Sequence, residues 1–482
     1  MYYRIRNSIL FRRYKEYGYI TDNSMFGYRQ LDDTSFYPGE EYVSESGAIM
    51  LDMLSKSPQH IDTIVDKLLS IFVDVDFDEV KCDTIEFFDM FVEAGFLCSG
   101  KTFEDCYNYQ ETNLNAFESI DSTLSIVSSE CTKNIFNQND FLRSIHIEIA
   151  NECNERCVHC YIPHEYKTKS IDSELFYRII EEGRSMNIIN VTLSGGEPLL
   201  HNDFIKFMTK CRELDLSVNI LTNLTLLTDE MIEEMKRNPL LCIQTSIYSM
   251  DPSIHDSITK VKGSLEKTKR NFLKLKSAGI PLQISCPIMK QNKDSFDTVI
   301  DFGRENNTPV AVDYVIFSSY DHSNCNLINR LSLEEIGQAF DKQSSDEYVD
   351  YLYVQATEKN ELTAQAPICS ICRYYICVSA EGNVFPCIGW QSNVIGDLNR
   401  QSLKEIWETS DDIKKLRQIT RKEFPKCIDC EDRGYCNVCM MSNSNENSDA
   451  DAFRINKYHC NVASLIHKKV DFYLGNKHSE HR

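Results

Sequence analysis

Cys153, Cys157 and Cys160 stand within the single run Asn151-Glu152-Cys153-Asn154-Glu155-Arg156-Cys157-Val158-His159-Cys160. Three thiolates on one short loop can hold three irons of a 4Fe–4S cubane and leave the fourth iron open to an outside ligand. S-adenosylmethionine (SAM), which carries an amino and a carboxylate group side by side, can chelate that iron. Zinc is the other metal this spacing suits; a structural zinc takes four ligands, and His159 or His164 would supply the fourth. One strand and one helix later comes Ser194-Gly195-Gly196-Glu197-Pro198. Its two glycines expose backbone carbonyls and permit close approach, and those acceptors suit an ammonium group.

A second set of cysteines lies far along the chain, as Cys369-x12-Gly382-x4-Cys387, then Cys427-x2-Cys430-x5-Cys436-x2-Cys439, then Cys460. Cys372 and Cys377 fall inside the first part. The chain has 20 cysteines in 482 residues, too many for chance and too clustered for a disulfide scaffold, which belongs to small secreted domains. The scattered ones (82, 98, 106, 131, 211, 242, 286 and 325) read as small buried hydrophobes. The first residues are interrupted by Arg12, Arg13 and Lys15, so no secretory signal is expected. Without a long apolar run to span a membrane, a cytoplasmic protein is the expectation. A net charge of −22 argues against nucleic acid as a partner.

The elements that must position these residues follow from periodicity. Ile145, Ile147 and Ile149 alternate as a strand. Strand-like runs recur at 188–194, 217–222, 241–247, 282–286 and 310–316, with helical patterns at 173–186, 202–213, 228–237, 264–278, 293–305 and 332–342. Six β–α units in series imply an α/β fold with a parallel sheet, open or curled into a partial barrel, and chemistry at the carboxyl ends of the strands. Residues 367–482 lose that rhythm: loops, a hairpin turning at Glu381–Asn383 and an amphipathic helix at 402–418 are expected. At the other end, residues 1–105 read as a small α+β domain with strands at Tyr17–Ile20, Met25–Arg29 and Glu41–Ser44 and helices near 45–55, 60–72 and 78–95. A polar linker, 106–140, follows it.

The cluster motif after a first strand and Gly-Gly-Glu-Pro after a second make the chain resemble the radical SAM superfamily. The resemblance implies a partial (β/α)6 TIM-type barrel over 141–345, with Gly195, Gly196 and Glu197 bordering the SAM amino group. It makes His159 a residue whose backbone faces adenine and not a metal ligand, and it adds Asn223 and Ser246 as SAM contacts. An arginine found in relatives after His255-Asp256 is missing here, and Lys260 is a candidate in its place. The second cysteine set resembles the SPASM extension of these enzymes, implying an irregular domain over 346–482 with two auxiliary 4Fe–4S clusters. By position Cys427, Cys430, Cys436 and Cys460 would ligate one, and Cys369, Cys387 and Cys439 the other. Cys372 is expected to be the fourth ligand of that nearer cluster and Cys377 a packing residue. The spacing from Cys436 to Cys439 is one residue shorter than is frequent in the family.

The N-terminal pattern also fits a winged helix, but residues 1–110 hold ten Lys/Arg against twenty Asp/Glu, a poor charge for duplex binding. Its run from Ser46 to Leu97 resembles instead the PqqD-like elements that capture a leader peptide as an added strand. Together these resemblances imply a subtilosin-maturase-like enzyme. Such an enzyme uses a 5′-deoxyadenosyl radical to install a thioether or carbon–carbon crosslink in a ribosomally made precursor peptide, with a flavodoxin or ferredoxin as reductant. Two other readings are a sulfatase-maturating type of protein oxidase and an iron–sulfur redox sensor with a winged-helix head. No side chain stands out in the sequence as a catalytic acid or base.

Overall fold

The computed structural model describes residues 1–22, 38–109, 141–166, 168–238 and 241–480. The N-terminal part forms two small antiparallel sheets. In the first, β1 (Tyr2–Ile5) lies between β5 (Gln59–His60) and β6 (Leu97–Gly100); in the second, β3 (Tyr17–Thr21) lies between β2 (Leu10–Arg13) and β4 (Glu40–Ser44). Helices Glu45–Asp52, Ile61–Leu69 and Phe77–Glu93 pack Ile49, Ile64, Leu68 and Phe88 onto them. The expected Met25–Arg29 strand and most of the linker lie outside the described residues.

Strands β1 and β2 escape pattern reading because their arginines look solvent-facing, yet Arg4 and Arg12 are buried, as is Arg6 just after β1. Arg12 donates from Nε to the Ile188 carbonyl at 2.9 Å and pairs with Asp215 at 3.4 Å. Burial of a guanidinium is tolerable only with such partners. Leu10, Tyr14, Tyr17 and Tyr19 pack with Ile189 at the same contact, so the second sheet is fastened to the next domain where its strands begin.

There, β7 (Ser144–Ala150), β8 (Asn190–Gly195), β9 (Ser217–Thr222), β10 (Leu241–Ser246), β11 (Leu282–Pro287) and β12 (Val310–Asp313) are parallel and adjacent in chain order. This is the six-stranded partial barrel expected. Ile145, Ile147 and Ile149 point to the surrounding helices and join the main apolar core, which leaves His146 and Glu148 on the inner face. A bulge between Glu148 and Ala150 shifts the pairing with β8 just before the cysteine loop.

The C-terminal domain does not stand apart from this sheet. β13 (Tyr375–Val378) pairs in parallel with β7, β14 (Asn383–Phe385) returns antiparallel to it, and β15 (Gly396–Asp397) follows, making nine strands in one sheet. Gly382, at φ 86°, makes the turn. The helix expected at 402–418 is two, Leu403–Thr409 and Asp411–Arg417, because Ser410 leaves helical geometry and caps the second by accepting from the Ile413 amide. Helix Asp346–Asn360 was not expected: it buries Val349 and Ala356 but exposes Tyr351, Tyr353 and Val354, so its periodicity is weak. Helix Lys457–Glu480 was also missed; Lys469 on it pairs with Asp341 at 2.6 Å. Among the described residues no helix is long and apolar enough to cross a membrane.

Candidate active site

After the β7 bulge the chain enters the loop that carries Cys153, Cys157 and Cys160. The loop has little secondary structure of its own and is held by its neighbours. The Arg156 and Val158 amides donate to the Thr259 and Ile258 carbonyls at 2.9 and 3.0 Å. Asn154 bonds Thr225 and Asn223, at 2.7 and 2.9 Å, and Asn329 donates to the Val158 carbonyl at 2.8 Å. All three cysteines are half-buried and line one cavity of about 260 Å³ at the carboxyl ends of β8 to β11.

The wall of that cavity includes Gly195, Gly196, Asn223 and Ser246, and also Thr222, Gln244, Tyr248 and Ser285, which the sequence had not singled out. Gln244 and Ser246 alternate on β10, and Ser285 is the register partner of Ser246 on β11. Polar residues at every second position of otherwise apolar parallel strands were the signal that could have found them. Tyr248 reaches Cys157 with its hydroxyl at 3.9 Å from the sulfur.

Glu197 is placed differently from the expectation. It is fully buried, and its carboxylate accepts from the Leu199 amide, the Thr222 hydroxyl and the Asn223 amide at 3.0, 2.6 and 2.8 Å. It therefore ties the end of β8 to the end of β9 from behind the cavity wall. Burial lifts its carboxyl to about 7 against those three donors. The glycines permit a close approach of backbone: a Cβ at Gly195 would sit 2.1 Å from the Ala150 carbonyl oxygen, and one at Gly196 2.3 Å from that of Glu152. They are needed for contact between this turn and the cysteine loop. His255 is buried and neutral, with its ring lowered to about 4 by burial, and accepts from the Tyr248 amide. Asp256 accepts from the Gly263 and Leu265 amides. Lys260 is exposed beyond the helix Pro252–Thr259, at φ 62°.

In the C-terminal domain Cys369, Cys427, Cys430, Cys436 and Cys460 line a second cavity, of about 300 Å³. Burial, reinforced by Cys460, Cys427 and Cys430, pushes the Cys436 thiol up to about 12. Cys439 is raised to about 11 by burial, with Cys387 and Cys369 adding to it. Cys372 is fully buried in the main apolar core at φ 55°; burial raises its thiol to about 12, and Cys369 and Cys387 lie near enough to add to the shift. Cys377, on β13, feels Cys387 as well.

Among the described residues no three His, Cys, Asp or Glu side chains close on a single point as one metal ion requires. A tetrahedral zinc with bonds of ~2.3 Å would draw its sulfurs to within about 4 Å of one another. A cubane spreads its ligands over separate irons, and thiols arrayed around a cavity fit that group. Metal binding would draw their protons off despite the raised values.

The radical SAM superfamily model matches residues 147–303, and that of SPASM, an iron–sulfur cluster-binding domain, matches 369–431. The chain is thus an enzyme with a radical SAM domain, which takes a 4Fe–4S cluster and SAM. Joined to it is a SPASM domain, which takes auxiliary iron–sulfur clusters. Similar curated proteins include an AdoMet-dependent heme synthase of Methanosarcina barkeri, 24% identical over 62% of this chain and 90% of its own. A PqqA peptide cyclase of Granulibacter bethesdensis is 21% identical over 59% of this chain and 79% of its own. Among solved structures, SuiB of Streptococcus suis bound to precursor peptide SuiA is similar over 94% of this chain and 98% of its own, with a TM-score of 0.60 and 14% identity. The enzyme anSMEcpe with bound AdoMet is similar over 70% of this chain and all of its own, with a TM-score of 0.55 and 18% identity.

Proposed function

We propose that this chain installs a crosslink, a thioether or a carbon–carbon bond, in a ribosomally made precursor peptide. The observation that carries the reading is the shared sheet. β7 leads into the cysteine trio at its end and pairs along its edge with β13, which opens the auxiliary-cysteine hairpin. One strand therefore relates a site for starting a one-electron reaction to a site for finishing it. Similarity to SuiB over nearly the whole chain, N-terminal part included, supports a peptide as the substrate. The sulfatase-maturating reading leaves the folded unit before Tyr109 without a task, and a DNA-binding sensor does not need a SAM site.

Cys153, Cys157 and Cys160 are assigned to the first cluster, with Gly195, Gly196, Asn223 and Ser246 around SAM. Cys427, Cys430, Cys436 and Cys460 are assigned to one auxiliary cluster, and Cys369, Cys372, Cys387 and Cys439 to the other. When bound, the first cluster and SAM supply a radical that removes a hydrogen atom. The residues of the chain hold that chemistry in a walled cavity, and Glu197 keeps the wall in register. The N-terminal unit is assigned to the leader, with β4 as the edge that receives it, and a small electron-carrier protein to the supply of electrons.

Anaerobic reconstitution should give about twelve irons per chain, the sum of three cubanes. Changing Cys153, Cys157 and Cys160 together to Ala should remove about a third of that iron and all SAM cleavage. Co-expression with short reading frames beside the gene should yield, by mass spectrometry, a peptide lighter by two hydrogens. Stoichiometric zinc in place of iron would overturn the assignment.

A further inference from the structure

Glu148 lies on the inner face of β7 and is 2% exposed. Its Oε2 accepts a hydrogen bond from Gln391 Nε2 at 2.8 Å, and its Oε1 has no hydrogen-bond partner. Tyr161 of the cysteine loop, Tyr320 after β12, Cys377 of β13 and Glu381 of the hairpin turn stand close enough to couple with its charge. None of these is a cation. His146, the other ionisable group that β7 turns inward, is half-buried and hydrogen-bonded to Ser194. Burial lifts the Glu148 carboxyl to about 8, with Gln391 opposing the shift and Glu381 adding to it. A buried carboxyl with one bare oxygen and no cation among these neighbours destabilises a fold.

Its position is informative. Ser194, its register partner on β8, and Tyr161 both line the cavity of the cysteine trio, while Cys377 leads toward Cys387. Glu148 therefore stands behind the wall of the first cavity, between the cysteine trio and the auxiliary-cysteine hairpin.

We propose that Glu148 is the catalytic base that takes the proton released when the crosslink closes. This rests on the crosslinking function proposed above. Closing the link breaks one peptide C–H bond and one S–H or second C–H bond, and forms one C–S or C–C bond. One hydrogen leaves as an atom to the deoxyadenosyl group derived from SAM. The other leaves as a proton to Glu148 Oε1, and the remaining electron passes to an auxiliary iron–sulfur cluster. A donor on the peptide would satisfy the bare oxygen without displacing Gln391.

The test compares the full-length chain with E148Q and E148D. In protein carrying carbon-13 at its glutamate carboxyls, the infrared spectrum should show a protonated carboxyl at neutral pH that ionises near pH 8. E148Q should lack that band. With the peptide found by co-expression, E148Q should form at least ~100-fold less crosslinked product per deoxyadenosine, the usual scale of a lost acid–base group. E148D should recover part of it. The wild-type ratio should climb with pH and level off above about 8, as the base form fills, while that of E148Q stays flat. An E148Q ratio and pH profile equal to wild type would overturn the assignment. Loss of SAM cleavage in proportion to product would overturn it too, by marking a structural role. Wild-type protein that cleaves SAM but removes no hydrogens from any peptide would overturn the functional reading itself, and Glu148 with it.

Discussion

A methyl group added at Gly196 would meet the carbonyl oxygens of Glu152 and Asn151 at 2.3 and 2.4 Å. Backbone cannot yield as a side-chain tip can, so the cysteine loop would have to move away from β8. Gly196→Ala should therefore lose about a third of the iron and nearly all SAM cleavage while the auxiliary sites stay filled. Iron analysis alongside deoxyadenosine formation checks this. Cys372 and Cys377 make a second pair for comparison, since both are buried and both couple to Cys387. With Cys372 as the fourth ligand of the nearer cluster, C372A should lose iron from that site and C377A should keep it. The spectra of the two variants in a background lacking the first three cysteines would separate them. The motif residues themselves were legible in the sequence because cysteines, glycines and Glu-Pro carry their spacing openly. Glu148 was not legible: within Ile147-Glu148-Ile149 it reads as the outward face of an ordinary amphipathic strand. Only the closure of the barrel and the arrival of Gln391, 243 residues away, reveal it as buried.

At the scale of elements, the β–α alternation from Ser144 to Gln343 could be read because the strands alternate with amphipathic helices, several of them capped. Asp172, Thr228 and Ser332 each accept from the first-turn amides of the helix they precede. Patterning failed where burial rests on paired charges, as at Arg12, or where a helix is covered on a narrow strip, as at Asp346–Asn360. It also could not show that the hairpin joins the barrel, since pairing between strands more than two hundred residues apart leaves no local mark. The N-terminal sheet raises a separate expectation. β2 is turned toward the barrel through Arg12, so β4 is the side of that sheet left for strand addition, and it carries Glu40 and Glu41. Replacing both glutamates with Lys should weaken capture of a basic leader by about tenfold and favour an acidic one. Fluorescence anisotropy of labelled peptides, repeated at two salt concentrations, measures it. Equal affinity for both peptides would exclude β4 as the receiving edge.

For the whole molecule, the pairing of β13 with β7 has an outcome for how such chains can be cut and recombined. In the intact protein β7 has neighbours on both sides, β8 and β13. A piece ending near residue 345 would leave Ser144, Ile145, His146 and Ile147 with one row of bare amides and carbonyls beside a hydrophobic strand. Exposed edges of that kind pair with other copies. Residues 141–345 expressed alone should self-associate, as light scattering would show, while the full-length chain should not do so by that route. The same edge constrains descent and engineering alike. A C-terminal domain borrowed from another enzyme would need to bring a strand whose register meets Ser144 to Ile147, and a crossover that divides 345 from 375 would pass on a barrel that cannot stay single.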